Sequence, residues 1–76
     1  MLSEHATVVL TEALPHLGLE ADDVGVVIHV YRNGEAYEIE FLTLNGDTIA
    51  VETLLSHQVR EARRADIPHV RERLAA

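Results

Sequence analysis

The sequence predicts a small, mostly β protein, a five-stranded barrel, on three observations. Short runs rich in β-branched residues alternate with a period of two. Two Asn-Gly pairs, Asn33-Gly34 and Asn45-Gly46, fall between such runs. The chain has 76 residues, enough for one core and no second domain, so all the strands must share that core.

The elements follow in order. Residues 6–11, Ala-Thr-Val-Val-Leu-Thr, read as the first strand, with Val8 and Leu10 on one face and Thr7, Val9 and Thr11 on the other. Residues 12–23 keep no period past Pro15 and Gly18. They carry Leu14, Leu17 and Leu19, so this long loop is apolar enough to pack over a core edge. Residues 24–31 form the richest β segment, and Gly25 within it predicts a bulge or a close backbone approach. Asn33-Gly34 then predicts a hairpin with a type I′ turn, in which both central residues take positive φ. In the second arm, Ala36 to Thr43, Tyr37, Ile39 and Phe41 face the core while Glu38 and Glu40 face water. Asn45-Gly46 turns the chain into a fourth strand, Thr48 to Leu54, where Ile49, Val51 and Thr53 oppose Ala50 and Glu52. Residues 54–59 break the alternation as a short 3₁₀ segment would, before a brief fifth strand at Val59 to Ala62. From Ala65 the tail reads as a marginal helix, an extended strand or a disordered segment. The helix would use Asp66 as N-cap, Pro68 in its first turn, and Ile67, Val70 and Leu74 on one face. The expected division is a barrel over residues 1–64 and a tail over 65–76.

Strand, long loop, three-stranded meander, 3₁₀ turn and short strand make the layout of an SH3-like barrel, which on closing leaves no long edge. Gly25-Val26-Val27 through Val30, with the Ser56-His57-Gln58-Val59 exit, also resembles the KOW motif of ribosomal proteins and NusG-type elongation factors. That short motif points to a fold rather than to RNA binding. A wider resemblance runs through Thr7-Val8-Val9-Leu10-Thr11, Leu14-Pro15, Gly18-Leu19, Asp23-Val24-Gly25, Val27, His29-Val30-Tyr31, Ala36-Tyr37-Glu38 and Glu40-Phe41. It is similar to a small bacterial domain-of-unknown-function family of about this length. The resemblance implies an SH3-like fold and a stand-alone intracellular protein, some of whose relatives are encoded beside toxin-like neighbours. This chain carries Asp22 where such relatives often have glycine.

Composition narrows the function. Hydrophobic residues make up 47% and charged residues 25%, the profile of a globular chain rather than a disordered one. Thirteen acids against six arginines, with no lysine, give a net charge of −7, a poor match to a phosphate backbone. The charge is uneven: Arg32 is the only basic side chain before residue 60, whereas Arg60, Arg63, Arg64, Arg71 and Arg73 crowd the last stretch. With no cysteine there is neither a disulfide framework nor a thiolate metal site. Met1 to Leu10 lacks the basic flank and apolar run of a signal peptide or membrane anchor, so a cytoplasmic protein without membrane contact is expected.

No set of residues calls for catalysis. There is no Ser/His/Asp or Cys/His arrangement and no glycine-rich phosphate loop. His5, His16, His29, His57 and His69 show no metal-ligand spacing. Neither catalytic residues, nor a metal, nor a cofactor is expected. Glu38, Glu40 and Glu52 are expected together on the outer face of strands three and four, as an acidic docking surface for a basic protein. Arg60, Arg63 and Arg64 are the candidate contacts of the basic tail. The tail of one copy laid on the acidic face of another would make a homo-oligomer. The expected function is a non-catalytic protein-interaction module of antitoxin-like or regulatory type. The alternative is a KOW-like nucleic-acid or ribosome-associated module that uses the tail arginines. Nucleic acid ranks second because no exposed aromatic set accompanies them.

Overall fold

Five antiparallel strands form one sheet: β1 (Thr7–Leu10), β2 (Val24–Tyr31), β3 (Ala36–Leu42), β4 (Thr48–Leu55) and β5 (Val59–Glu61). The computed structural model describes residues 1–73. Strand order is β4-β3-β2-β1-β5, so β2, β3 and β4 are a meander while β1 bridges it to β5. Among the described residues the remaining regular structure is three single 3₁₀ turns, at Pro15–Leu17, Arg32–Gly34 and Ser56–Gln58. The sheet wraps one core, as in a small barrel-like fold, but β4 and β5 end it without pairing to each other.

The inner face is built from alternate residues of each strand. Val8 and Leu10 of β1, Val27 of β2, Tyr37, Ile39 and Phe41 of β3, Leu54 of β4 and Val59 of β5 are all buried. Leu14 and Leu19 join them from the long loop, as expected, because the two residues close the loop on itself with paired backbone bonds. Gly18, with φ +70°, ends the 3₁₀ turn between them. Asp22, where relatives were expected to carry glycine, has φ +76°. The site demands the left-handed region, which aspartate tolerates better than most side chains.

Gly25 is a close approach. A Cβ there would lie 2.6 Å from Ile39 Cγ2 and 3.0 Å from the Glu40 carbonyl oxygen. The irregularity of β2 comes later, between Val27 and His29, where Ile28 is the extra residue. This bulge swings Val30 toward the core and leaves His29 and Tyr31 on the outer face, stacked edge-to-face with ring centres 4.4 Å apart.

The first hairpin loop is longer than a two-residue type I′ turn. Tyr31 pairs with Ala36, and the loop between them runs through three successive positive φ values: Arg32 (+47°), Asn33 (+56°) and Gly34 (+98°). Asn33 and Gly34 take the signs expected of them, and Arg32 is drawn into the same left-handed turn. At the second hairpin only Gly46 has positive φ; Gly46 N–H donates to the Thr43 carbonyl, and Thr43 N–H donates to that of Asp47. This is the bulged hairpin turn in which glycine fills the left-handed position.

Two expectations are corrected. Val51 and Thr53 do not share Ile49's side of the core. Tyr37 pairs with Leu54, Ile39 with Glu52 and Phe41 with Ala50, so the inward set is Ala50, Glu52 and Leu54. The register slips between Phe41 and Leu42, leaving Ile49 as the extra residue, and this lets Ile49 pack on the core although its parity matches that of Val51. The second correction concerns the tail, which is not a helix over residues 65–73. Proline disfavours helical geometry at the residue before it, here Ile67, and the carboxylate that would cap the helix is used elsewhere. Leu74, the last residue of the expected apolar face, lies outside the described residues.

Candidate interaction surface

The outer face of the meander is laid out in cross-strand rows. Val26, Glu40 and Val51 form one row, His29, Glu38 and Thr53 the next, and Tyr31, Ala36 and Leu55 the third. Side chains opposite one another in such rows sit close enough to act together. Glu38 accepts a long hydrogen bond from the Tyr31 hydroxyl at 3.4 Å, and Glu40 accepts one from Thr48 Oγ1 at 2.7 Å. Among the described residues neither carboxylate meets an arginine. Around them Ile28, Leu42, Val51 and Leu55 are exposed apolar side chains, Leu55 at 54%. The result is an acidic strip set in an apolar face.

Glu52 does not belong to it. Its partner in the register is the buried Ile39, so it stands on the opposite side of the sheet. There its carboxylate lies 3.4 Å from His16 Nε2 of the long loop. The expected trio is therefore a pair, Glu38 and Glu40. The signal that could have separated Glu52 is the Leu54-Leu55 doublet, since one of the two had to face inward and the choice fixes the phase of the strand.

The candidate arginines are also divided. Arg60 sits on β5 opposite Val9 and grips Asp66 with both terminal nitrogens, at 2.9 and 3.0 Å. Asp66 also accepts the Arg63 backbone N–H at 2.6 Å, so the carboxylate closes a turn instead of capping a helix. The Arg60 guanidinium, then the Arg63 amide, hold the Asp66 carboxyl well below its ordinary value of 3.8, at about 2. Arg60 contributes its charge to this turn, and Arg63 contributes its backbone. The side chains of Arg63 and Arg64 are exposed.

Sequence reasoning missed a second clamp further on. Arg71 Nε donates to Asp23 Oδ1 at 3.1 Å, Nη2 donates to the other Asp23 oxygen and to the Gly18 carbonyl at 3.0 Å, and Nη1 lies 3.5 Å from Glu20. Burial raises the Asp23 carboxyl's pKa, but hydrogen bonds from Arg71 and the Glu20 amide, with the charge of Arg71, outweigh it and leave the net shift downward. No local pattern marks this contact, because 48 positions separate its partners. The two clamps strap the tail over the end of the sheet made by β1 and β5. Between tail and loop runs an open groove of about 650 Å³, lined by Val9, Val24, Arg60, Ile67 and Pro68 among others.

The histidines are scattered. His29 and His57 stand 4.0 Å from Glu4 and Glu12, and His16 meets Glu52; all three are more than half exposed. Among the described residues no three His, Cys, Asp or Glu side chains converge to hold a metal ion. No helix among them is long and apolar enough to cross a membrane.

The pattern across β1 to β5 matches a known family. Residues 4–61 match the domain of unknown function DUF4926. The chain belongs to that family. The match spans all five strands and stops where the strapped tail begins. Comparison with curated proteins finds no match, and comparison with solved structures finds none.

Proposed function

We propose that this DUF4926 domain is a non-catalytic protein-interaction module that docks a basic partner on the outer face of β2, β3 and β4. One observation carries the reading: Glu38 and Glu40 stand in an apolar surface while the chain's own Arg60 and Arg71 are engaged at the other end of the sheet. Partner cations there would meet carboxylates with no arginine to displace, and the net charge of −7 would steer their approach. The matching fold reading is an SH3-like barrel, and the matching role is that of a regulatory or antitoxin-like partner in a bacterial cytoplasm. The KOW-like nucleic-acid alternative has less support, because the net charge is −7 and two of the five tail arginines, Arg60 and Arg71, are engaged by Asp66 and Asp23. Tail exchange between copies has less support for the same reason.

The test is affinity capture from the host lysate, with nuclease, using wild type, the double variant E38K/E40K and the single variant E52K. The double variant should lose the partner while its thermal unfolding stays close to wild type, and E52K should keep it. Capture that survives E38K/E40K would refute the acidic-face reading. Material that disappears with nuclease would transfer support to the nucleic-acid reading.

A further inference from the structure

The two ends of the sheet are unlike. β5 has three residues and carries the strapped tail, whereas β4 has eight, Thr-Ile-Ala-Val-Glu-Thr-Leu-Leu, with neither proline nor lysine. Protein sheets commonly guard an edge of that length with those residues, with a bulge or with a cover. The irregularity on β4 is at its start, beside Ile49, and its one inward charge, Glu52, lies against His16 of the long loop.

The direction of its backbone groups can be worked out. Ser56 N–H donates to the Glu35 carbonyl, toward β3, and the preceding N–H, of Leu55, is taken by Gln58 Oε1 at 2.8 Å. Successive residues of a strand point their backbone groups to opposite sides. Thr53 and Val51 therefore turn their N–H and C=O away from β3, as Leu55 does, but without a Gln58 to satisfy them. Their side chains stand on the same outer face as Glu38 and Glu40, directly opposite those two carboxylates on β3.

We propose that this edge accepts an extended segment of the partner as a sixth strand beside β4, with backbone bonds at Val51 and Thr53. Val51, Thr53 and Leu55 share the outer face, so every second residue of the segment lies there: an apolar side chain against Val51, an arginine or lysine opposite Thr53, and an apolar side chain against Leu55. The small Thr53 side chain leaves room for that cation to cross it toward Glu38. Two strand spacings, about 10 Å, separate the incoming backbone from β3, a span that a long cationic side chain and a glutamate cover together. A second copy of this chain is a poorer occupant. β4 has no basic residue to offer, and pairing two β4 edges would bring two acidic faces into one surface. This proposal rests on the acidic-face reading and adds to it the mode of binding, main-chain pairing for affinity and alternate side chains for specificity.

The probe is a synthetic peptide that carries valine, arginine and valine at every second position with threonine between them, Val-Thr-Arg-Thr-Val, titrated to millimolar concentration into the isotope-labelled protein and followed by backbone amide NMR and hydrogen exchange. The amides of Val51 and Thr53 should shift and gain at least tenfold protection, and the same peptide with glutamate in place of arginine should leave them unchanged. T53P removes one of the two donors where an edge strand tolerates proline, and should reduce peptide affinity at least tenfold while the core amides keep their wild-type shifts. If E38K/E40K abolishes binding and T53P does not, the acidic face stands and the added strand is wrong. If neither variant changes binding, or no peptide binds at all, both readings fall. Protection of Val51 and Thr53 that grows with protein concentration in the absence of peptide would name a second copy as the occupant and overturn the proposal.

Discussion

The β5 end and the β4 end of this sheet differ in how long a row of unpaired backbone groups each exposes. At the β5 end the strand is cut to three residues. Ala62 N–H ends the ladder on the β1 side at the Thr7 carbonyl, the outward-facing Glu61 carbonyl accepts from Arg60 Nη1, and the tail is folded back by Arg60–Asp66 and Arg71–Asp23. At the β4 end an eight-residue strand runs along the border with only Leu55 N–H answered by a side chain. Two arginines follow the same division: Arg60 and Arg71 are engaged internally at the first end, while Glu38 and Glu40 on the second meet no arginine among the described residues. A chain of this size has few residues left over from building its core, so the end it leaves unguarded is where a partner is to be sought.

The largest effect is expected where both ends depend on one contact. Gly25 lets β2 lie against Ile39 and the Glu40 carbonyl, so Gly25→Ala should destabilise the fold by about 1–3 kcal/mol, read by denaturant unfolding. A near-neutral result would mean that the two halves of the sheet are not held together there. A smaller effect is expected at the strapped end in acid. The Asp66 carboxyl is held at about 2 against an ordinary 3.8, so its contribution is complete above about 3.8 and is lost as the pH falls through about 2. The Asp66 carboxyl and Arg60 guanidinium resonances should therefore move together at the lower value. A midpoint near 3.8 would show that the clamp does not hold in solution.

The sequence and the structure agree on what is locally encoded. Alternation marks the strands and the two Asn-Gly pairs mark both hairpins, because the left-handed backbone at Asn33, Gly34 and Gly46 selects such residues at the turn itself. Leu14 and Leu19 revealed that the long loop packs down. The phase of β4 was hidden: Ile49, Val51 and Thr53 alternate as cleanly as Ala50, Glu52 and Leu54, and the slip at Leu42 that reconciles Ile49 with the core depends on a neighbouring strand. That one-residue phase is why Glu38 and Glu40 were correctly placed on one face and Glu52 was not. The tail was hidden for another reason. Ile67, Val70 and Leu74 have helical spacing, but the contacts that decide the matter are ion pairs with residues far away in the chain or, for Asp66, a turn that competes with the cap.

The central claim is that the β4 edge is open, and amide hydrogen exchange on the free protein at low concentration tests it most directly against amides bonded within the ladder. The account predicts slow exchange at Ala62 and Leu10, whose N–H groups are bonded to Thr7 and Asp23, and rapid exchange at Val51 and Thr53, with Leu55 slower than either. Slow exchange at Val51 and Thr53 under those conditions would contradict it, because the β4 edge would then already be covered.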